Sequence, residues 1–252
     1  MGIWKNNNTP CVLIAARNDE KTLPACLLSV GEAIGTNTWA LFASINDSAD
    51  NSYDIIHEFA SNSSAKVFSI EKYADSPSAA VAKNRAIKLS LPYRKEFPAY
   101  FFMDADDLMG ENRISGLLKT AEKTNCKFLI GDWADRKGKG DKMHKAKRNY
   151  KSLKFGPWAT VIHESLIPHD GNFFPDIEGQ WFEDLVLWHK MRYEGVKMEA
   201  APGVMTHVYI RRGGSYSGVD IEEKVIRVRN YKKYIRANYN WWKKEEWKTK
   251  KK

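Results

Sequence analysis

Residues 101–108, FFMDADDL, set the interpretation of the whole sequence. An aromatic and apolar run ends there in three carboxylates within four positions, Asp104, Asp106 and Asp107. Such a run, closed by a polar cluster, is typical of a buried strand that leads into a loop. In an open α/β sheet, ligands bind just beyond the carboxyl ends of the strands. Clustered carboxylates at that position suit Mg²⁺ or Mn²⁺, although a solvated Asp-rich turn has the same composition.

The sequence on either side of this stretch alternates between strand-like and helical patterns. Apolar runs predict strands at residues 12–16, 39–45, 66–70 and from Phe101, and helical spacing covers residues 25–30, 53–60, 78–91 and 112–123. Thr22 is the expected N-cap of the first helix. Alternation of this kind predicts right-handed βαβ units and a mostly parallel sheet for residues 10–132.

The alternation stops after residue 132. Residues 135–154 are rich in Lys and Arg and almost free of apolar side chains, so we predict a surface loop there. Order is expected to resume at residues 155–162, and a helix is expected to start around residues 181–188. Residues 204–210 have the pattern of a strand.

The positive charge of the chain is confined to its last segment. The formal net charge is +9, yet residues 1–210 carry 26 Lys+Arg against 26 Asp+Glu, and residues 211–252 carry 14 against 5. Residues 222–252 read as a helix in which Lys, Arg and Trp are interleaved. Three interpretations follow: a helix packed on the body with a solvated end, a contact to an anionic membrane surface, or a contact to a nucleic acid backbone.

Three widely spaced cysteines, Cys11, Cys26 and Cys126, lie in apolar settings and predict reduced core thiols. No apolar run approaches the length of a membrane span, and the polar start at residues 1–8 predicts no signal peptide. The expected location is therefore the cytoplasm, with the basic tail as a candidate contact to a membrane surface.

Six polar motifs follow one another along residues 10–217. They are AARNDE at 15–20, INDSADNS at 45–52, AKNRAI at 82–87, DADD at 104–107, ED at 183–184 and YIRRGGS at 209–215. In this order they resemble the GT-A nucleotide-sugar glycosyltransferases, and specifically the inverting family 2. The resemblance implies an α/β fold of the GT-A type, a Rossmann-like, mixed but mostly parallel sheet flanked by helices. It implies a catalytic domain at residues 1–217, with a nucleotide-sugar half at 10–132 and an acceptor half at 155–217, followed by a helical extension at 218–252.

The same resemblance implies a metal-dependent hexosyltransferase that uses a UDP-sugar, Mn²⁺ or Mg²⁺, and a hydroxyl acceptor on a glycan, a lipid-linked molecule or another compound. The metal ligands would be Asp106 directly, Asp104, which would reach the ribose or the metal through water, and His207, although a lone strand His is also commonly a packed residue. The nucleotide-sugar contacts would come from Ala15, Arg17, Asn46, Lys83, Asp104, Ala105, Arg211 and Arg212. Arg211 and Arg212 suit a phosphate clamp, or they simply begin the basic tail.

Three positions depart from the pattern of the family. Asn46 stands where the family often has an Asp that accepts a hydrogen bond from uracil, which an Asn carbonyl can also accept. Lys83 replaces an Arg, so the positive charge is kept but the bidentate geometry of a guanidinium is lost. Lys83 would hold Asp104 or a phosphate. Arg17 replaces an aromatic residue, and its guanidinium could stack on the base instead.

The acid pair carries the mechanistic prediction. By resemblance, Asp184 would take the proton of the acceptor hydroxyl, and Glu183 would orient the acceptor. Two acids in the first turn of a helix also simply stabilise its dipole. Trp181 and Trp158 are candidate walls for the acceptor sugar, with core packing as the ordinary alternative.

Two functions of other classes compete with this prediction. A nucleotidyltransferase is disfavoured because no Gly-rich phosphate loop follows the first strand. The alternative is a protein that binds nucleic acid or a membrane surface through its tail and keeps a degenerate transferase fold.

Overall fold

The chain forms one mixed sheet with helices on both faces. The computed structural model describes residues 2–4, 8–35, 37–75, 77–137, 143–145, 159–176, 183–211 and 221–239. Within that part nine strands form the sheet. They are β1 (Pro10–Ala16), β2 (Trp39–Asn46), β3 (Ala65–Tyr73), β4 (Ala99–Asp104), β5 (Leu108–Met109), β6 (Phe128–Lys137), β7 (Met143–Lys145), β8 (Thr160–His163) and β9 (Glu199–Arg211).

Six α-helices are described beside the sheet. They are α1 (Leu23–Ile34), α2 (Ser52–Asn62), α3 (Ala79–Ser90), α4 (Arg113–Thr124), α5 (Glu183–Tyr193) and α6 (Ile221–Asn238). The strand order is β3-β2-β1-β4-β8-β6-β9-β5, and β7 pairs with β6. The first four strands of this order are parallel to one another, whereas β8 is antiparallel to both β4 and β6.

The parallel strands β1, β2 and β4 are apolar over most of their length and almost fully buried. On β1, Val12 and Ile14 pack with residues of α1, α2 and α4, while Cys11 and Leu13 pack with residues of α3 and α5 on the opposite face. A strand covered on both faces reads as a continuous hydrophobic run. The predicted βαβ organisation of residues 10–132 is therefore confirmed, and the three cysteines are free and buried, as expected.

The register brings three strand ends to one level. Ala15 of β1 is aligned with Ser44 of β2 and with Asp104 of β4. Polar residues that follow these strands therefore meet at one edge of the sheet, although they lie far apart in the sequence.

Two local predictions hold only in part. Thr22 is the N-cap residue of α1, as predicted, but it makes no side-chain cap hydrogen bond. Its hydroxyl, with a single hydrogen to donate, lies 3.1 Å from the carbonyl oxygens of both Asp19 and Ala105 and so links two loops. The segment 135–154 is not entirely a loop, because β6 continues to Lys137 and pairs with β7. Sheet hydrogen bonds with a neighbouring strand override a polar composition in this case.

The beginning of the basic tail packs on the body. Helix α6 lies against α5, with ring centroids 6.0 Å apart between His189 and Tyr231 and 5.9 Å apart between Tyr193 and Tyr239. Ile235 is only 3% exposed. Residues 221–239 thus match the first of the three interpretations of the tail. Residues 240–252 and the predicted domain boundary at 217/218 lie outside the described residues.

Among the described residues, no helix combines the length and the apolar character that crossing a membrane requires.

Replacement of Ile235 tests the docking of α6. We expect Ile235→Ala to lower the free energy of unfolding by about 2–5 kcal/mol, since it removes a buried aliphatic side chain and leaves a cavity. Lys232→Ala, an exposed position of the same helix, should change it by no more than about 0.5 kcal/mol. Urea unfolding measures both. Equal, small effects would mean that α6 is not docked in solution.

Candidate active site

A cleft of about 380 Å³ opens at the edge of the sheet where β1, β2 and β4 end. Its lining brings together residues of five of the six sequence motifs: Ala15, Arg17, Asn46, Lys83, Asp104, Ala105, Asp106 and Glu183. Pro77, Ala79 and Ala82 contribute an apolar part of the wall. This location, beyond the carboxyl ends of parallel strands, is where open α/β sheets bind ligands.

Lys83 joins the DADD motif to the acid pair. Its Nζ lies 2.7 Å from Oε1 of Glu183 and 3.3 Å from Oδ1 of Asp104, and the residue is only 9% exposed. Burial alone would lower the pKa of the Lys83 ammonium, but the charges of Asp104 and Glu183 outweigh that effect and raise the pKa above its ordinary value. Lys83 is therefore a fixed positive charge in the cleft.

The acid pair forms the first turn of α5. Oδ1 of Asp184 accepts a hydrogen bond from the backbone N–H of Leu185 at 2.7 Å. Burial and the neighbouring Glu183 raise the pKa of Asp184 to about 7, although Lys83 acts in the opposite direction. Glu183 lines the cleft, whereas Asp184, partly buried beside it, does not. The two acids thus have different surroundings: an ammonium group holds Glu183, and burial beside that acid raises the pKa of Asp184.

The loops after β1 and β2 hold each other by hydrogen bonds. Arg17 pairs with Asp47 at 2.9 Å, and the side chain of Asn18 accepts from the N–H of Ala49 at 2.9 Å. Asn18 and Asp47 both have positive φ angles, of 54° and 43°, which Asn and Asp tolerate better than most residues. This geometry fixes the backbone around Arg17 at the rim of the cleft.

Serine and aspartate side chains of the INDSADNS motif serve the same purpose. The N–H of Asp19 donates to the hydroxyl of Ser52 at 2.9 Å, and the N–H of Glu20 donates to the carboxylate of Asp50 at 2.9 Å. Ser52 in turn donates to Asp50 at 2.6 Å. The AARNDE and INDSADNS motifs are therefore complementary parts of one loop structure, which explains why both are polar.

The DADD motif presents two carboxylates to the cleft, those of Asp104 and Asp106. Asp107 is buried, at 1% exposure, and its N–H donates to the carbonyl oxygen of Asp104 at 3.2 Å, which closes the turn. No group of three or more His, Cys, Asp or Glu side chains able to hold a metal occurs in the described part of the chain. Two carboxylates still fit Mg²⁺ or Mn²⁺, because such ions commonly take one or two carboxylates and complete their shell with water and substrate phosphates.

Five predicted site residues are not brought into the cleft by the described structure. His207 lies on β9, where its backbone is in register with Met109 and Trp133, and Arg211 ends the same strand; the side chains of both lie outside the description. Arg212, Trp158 and Trp181 lie outside the described residues altogether.

Two buried residues that support the site were not predicted. Arg113 is fully buried at the start of α4, and its Nη2 donates to the carbonyl oxygens of Phe102 at 2.7 Å and Thr160 at 3.2 Å. Burial lowers the pKa of Arg113 to about 9, and Asp104 counteracts this. Arg113 thereby holds β4 where β8 no longer pairs with it. A single Arg in the first turn of a helix gives no sequence signal for such a role.

Asn84, within the AKNRAI motif, has a structural role. Its Nδ2 donates to the carbonyl oxygen of Phe174 at 2.8 Å, and its Oδ1 accepts from the N–H of Phe174 at 2.9 Å. The side chain thus mimics a strand neighbour for an otherwise irregular segment that covers α3. The motif therefore supplies one cleft residue, Lys83, and one anchor for the surrounding chain.

Replacement of Lys83 tests the charge balance of the cleft. We expect Lys83→Met to lower the free energy of unfolding by about 3–5 kcal/mol at pH 8, because removing one partner leaves buried carboxylates uncompensated. The loss should be smaller at pH 5, where Asp184, whose pKa is raised, takes up a proton. Urea unfolding at the two pH values measures it. Lys88→Met, at an exposed position of the same helix, is the control. Equal losses of stability in both variants would contradict the ion pairs of Lys83 with Asp104 and Glu183.

Comparison with known proteins places this chain in a family. The family model described as glycosyl transferase family 2 matches residues 11–175. No curated protein matches the sequence. Among solved structures, residues 1–349 of S. aureus TarS in complex with UDP-GlcNAc superpose with a TM-score of 0.64 at 14% identity, over 84% of this chain and 62% of that one.

A second similar structure is the mannosyltransferase PcManGT from Pyrobaculum calidifontis in complex with GDP-Man and Mn²⁺. It superposes with a TM-score of 0.61 at 13% identity, over 86% of this chain and 61% of that one. The chain thus spans less than two thirds of either structure, and at these identities the likeness concerns the fold, an α/β architecture of the GT-A type. Because the family model covers well over half of the sequence, the chain belongs to glycosyltransferase family 2.

Proposed function

We propose that the chain transfers a hexose from a UDP-sugar to an acceptor hydroxyl with inversion, and that the cleft is its donor site. The observation that carries this proposal is the contact of Lys83 with both Asp104 and Glu183. DADD, which we expect to bind the donor diphosphate, and the acid pair, which we expect to handle the acceptor, thus both contact one ammonium group.

The similar structures support a nucleotide-sugar donor. TarS was solved with UDP-GlcNAc, and PcManGT with GDP-Man and Mn²⁺. On this chain, Arg17, Asn46 and Ala15 would face the nucleoside, since they line the end of the cleft formed by β1 and β2. Arg211 and Arg212 remain proposed ligands of the diphosphate.

The carboxylates of the DADD motif fit a divalent cation. Asp106 would hold Mn²⁺ or Mg²⁺, with Asp104 as the second carboxylate and His207 as a proposed third ligand. When bound, the ion would stabilise the negative charge of the departing diphosphate. Lys83 adds a fixed positive charge beside Asp104 and keeps that carboxylate oriented.

Asp184 is the proposed general base. In an inverting transfer, the acceptor hydroxyl loses its proton as its oxygen attacks the anomeric carbon and the bond to the diphosphate breaks. A carboxylate with a pKa near neutrality takes such a proton more readily than an ordinary Asp, and the pKa of Asp184 is raised to about 7. Glu183, held by Lys83, would orient the acceptor, with Trp181 and Trp158 as proposed walls for its sugar.

The rival function, a binding protein with a degenerate transferase fold, requires the basic tail to be available to a partner. The packing of α6 on α5 disfavours that role for residues 221–239. The charged cleft would also have no purpose in such a protein, since burying Lys83 and its acids is costly without a function.

A donor screen tests the proposed reaction. The purified chain is incubated with UDP-glucose, UDP-galactose, UDP-N-acetylglucosamine and GDP-mannose, in Mn²⁺, Mg²⁺ or EDTA, and release of the nucleoside diphosphate is measured. We expect slow release from one UDP-sugar that EDTA abolishes and Asp106→Asn lowers about 100-fold or more, as loss of an electrostatic contact to the leaving group does. Asp54→Asn, at an exposed position on α2, should retain the full rate. Absence of release and of metal-dependent nucleotide binding would exclude the enzyme function.

The pH dependence tests the role of Asp184. A general base must be deprotonated, so the transfer rate should fall about tenfold per pH unit below about 7, where the raised pKa of Asp184 lies. It should be constant above that value until another group titrates. Asp184→Asn should lose transfer but retain donor binding, and Glu194→Gln, at the other end of α5, should keep the wild-type profile. A rate that is flat between pH 5 and pH 8 would rule out Asp184 as the base.

A further inference from the structure

The amide of Asn46 has both of its donor hydrogens engaged inside the protein. Asn46 is 2% exposed and lines the cleft. Its Nδ2 donates to the carbonyl oxygen of Ser44 at 3.0 Å and to the hydroxyl of Ser44 at 3.2 Å. The Ser44 hydroxyl gives its own hydrogen to the carbonyl oxygen of Ala82 at 2.7 Å, so it can only accept from Asn46.

The amide cannot be turned over. Its Oδ1 accepts a hydrogen bond from Nη1 of Arg85 at 2.8 Å. A guanidinium has only donors and a backbone carbonyl only acceptors, so Arg85 must face the oxygen and Ser44 must face the nitrogen. In the reversed orientation, the amide NH₂ group would face the donor of Arg85, and the amide oxygen would face the two oxygens of Ser44, which are acceptors. The same contacts explain why an Asn occupies this position, since a carboxylate would set an oxygen against the Ser44 carbonyl.

Arg85 is itself held on two other sides. Its Nη2 forms hydrogen bonds of 2.9 and 2.7 Å to the two carboxylate oxygens of Asp75. Its guanidinium lies over the ring of Tyr73, 4.1 Å from the centroid. Arg85 does not line the cleft. It therefore acts on the cleft through Asn46, as a rigid support.

These contacts leave Asn46 with one free hydrogen-bonding site, the second lone pair of Oδ1, because its two donors are used and Arg85 takes the first lone pair. Resting on the proposed function, we propose that Arg85 is a positioning residue for nucleotide selection, which fixes Asn46 as a pure acceptor toward the base. Uracil and guanine carry a ring N–H beside a carbonyl group and satisfy such an acceptor. Cytosine and adenine carry a ring-nitrogen lone pair at that position and oppose it.

Calorimetric titration of UDP, GDP, CDP and ADP into the full chain with Mn²⁺ tests the proposal. We expect the wild type to bind UDP or GDP at least about tenfold more tightly than CDP and ADP, since an unpaired buried polar group costs that much or more. The UDP and GDP titrations separate the two bases that share the ring N–H. In Arg85→Met the preference should shrink to within about threefold, whereas Arg85→Lys, which keeps a donor toward Asn46, should retain most of it.

The ratio of affinities separates positioning from a general loss of structure. Arg94→Met is the matched control, because Arg94 is an ion-paired arginine, 2.9 Å from Glu164, near the amino end of β4; its ratio should equal that of the wild type. If Arg85→Met does not fold, Asn46→Ala is titrated instead, and its preference for UDP or GDP over CDP and ADP must fall in the same way.

Three results would overturn the proposal. Equal binding of UDP and CDP by the wild type would exclude the selection but leave the transferase function intact. Loss of affinity for all nucleotides by one common factor in Arg85→Met would make Arg85 merely structural. Failure of every nucleotide to bind would exclude both this inference and the proposed function.

Discussion

The ammonium group of Lys83 is the interaction on which the cleft depends. Asp104 ends a central strand, Glu183 begins a helix on the same face of the sheet as α3, and both carboxylates lie within ion-pair distance of one nitrogen. Without that charge, Asp104, Glu183 and Asp184 would repel one another in a partly buried space. The repulsion would separate α5 from the sheet edge, and the two halves of the proposed reaction would no longer share a site.

The rest of the architecture holds this arrangement in place. The loops after β1 and β2 are joined by side-chain hydrogen bonds such as that of Asp19 to Ser52, so the rim of the cleft does not depend on a ligand for its shape. Arg113 holds β4 beyond the point where β8 stops pairing with it. Rigid support of this kind is what electrostatic catalysis requires, since charges that are already oriented cost no reorganisation during the reaction.

Surrounding residues also hold the end of the cleft formed by β1 and β2, where we propose that the nucleotide binds. Arg85 and Ser44 settle the direction of one amide from outside the cleft. Asn84, one position earlier on α3, anchors the segment around Phe174. Helix α3 therefore contributes to the charge balance, the support of the proposed base site and the packing of the surrounding chain from three consecutive positions, Lys83 to Arg85. A short motif can carry this much because successive helix positions point in different directions, each about 100° from the last.

The sequence by itself determined the alternation of strands and helices over residues 10–132, the position of three of the polar motifs at strand ends, and the resemblance to family 2. These properties depend on local hydrophobic periodicity and on the order of motifs, which a sequence displays directly. The resemblance placed Lys83 where it could hold Asp104, but only the tertiary structure decided that Glu183 pairs with the same ammonium group. Lys83 and Glu183 are 100 positions apart, and no local pattern indicates that they meet. The burial of Arg113, the direction of the Asn46 amide and the pairing of β6 with β7 were likewise decided by tertiary contacts, because each depends on groups that only the folded chain brings within hydrogen-bond distance.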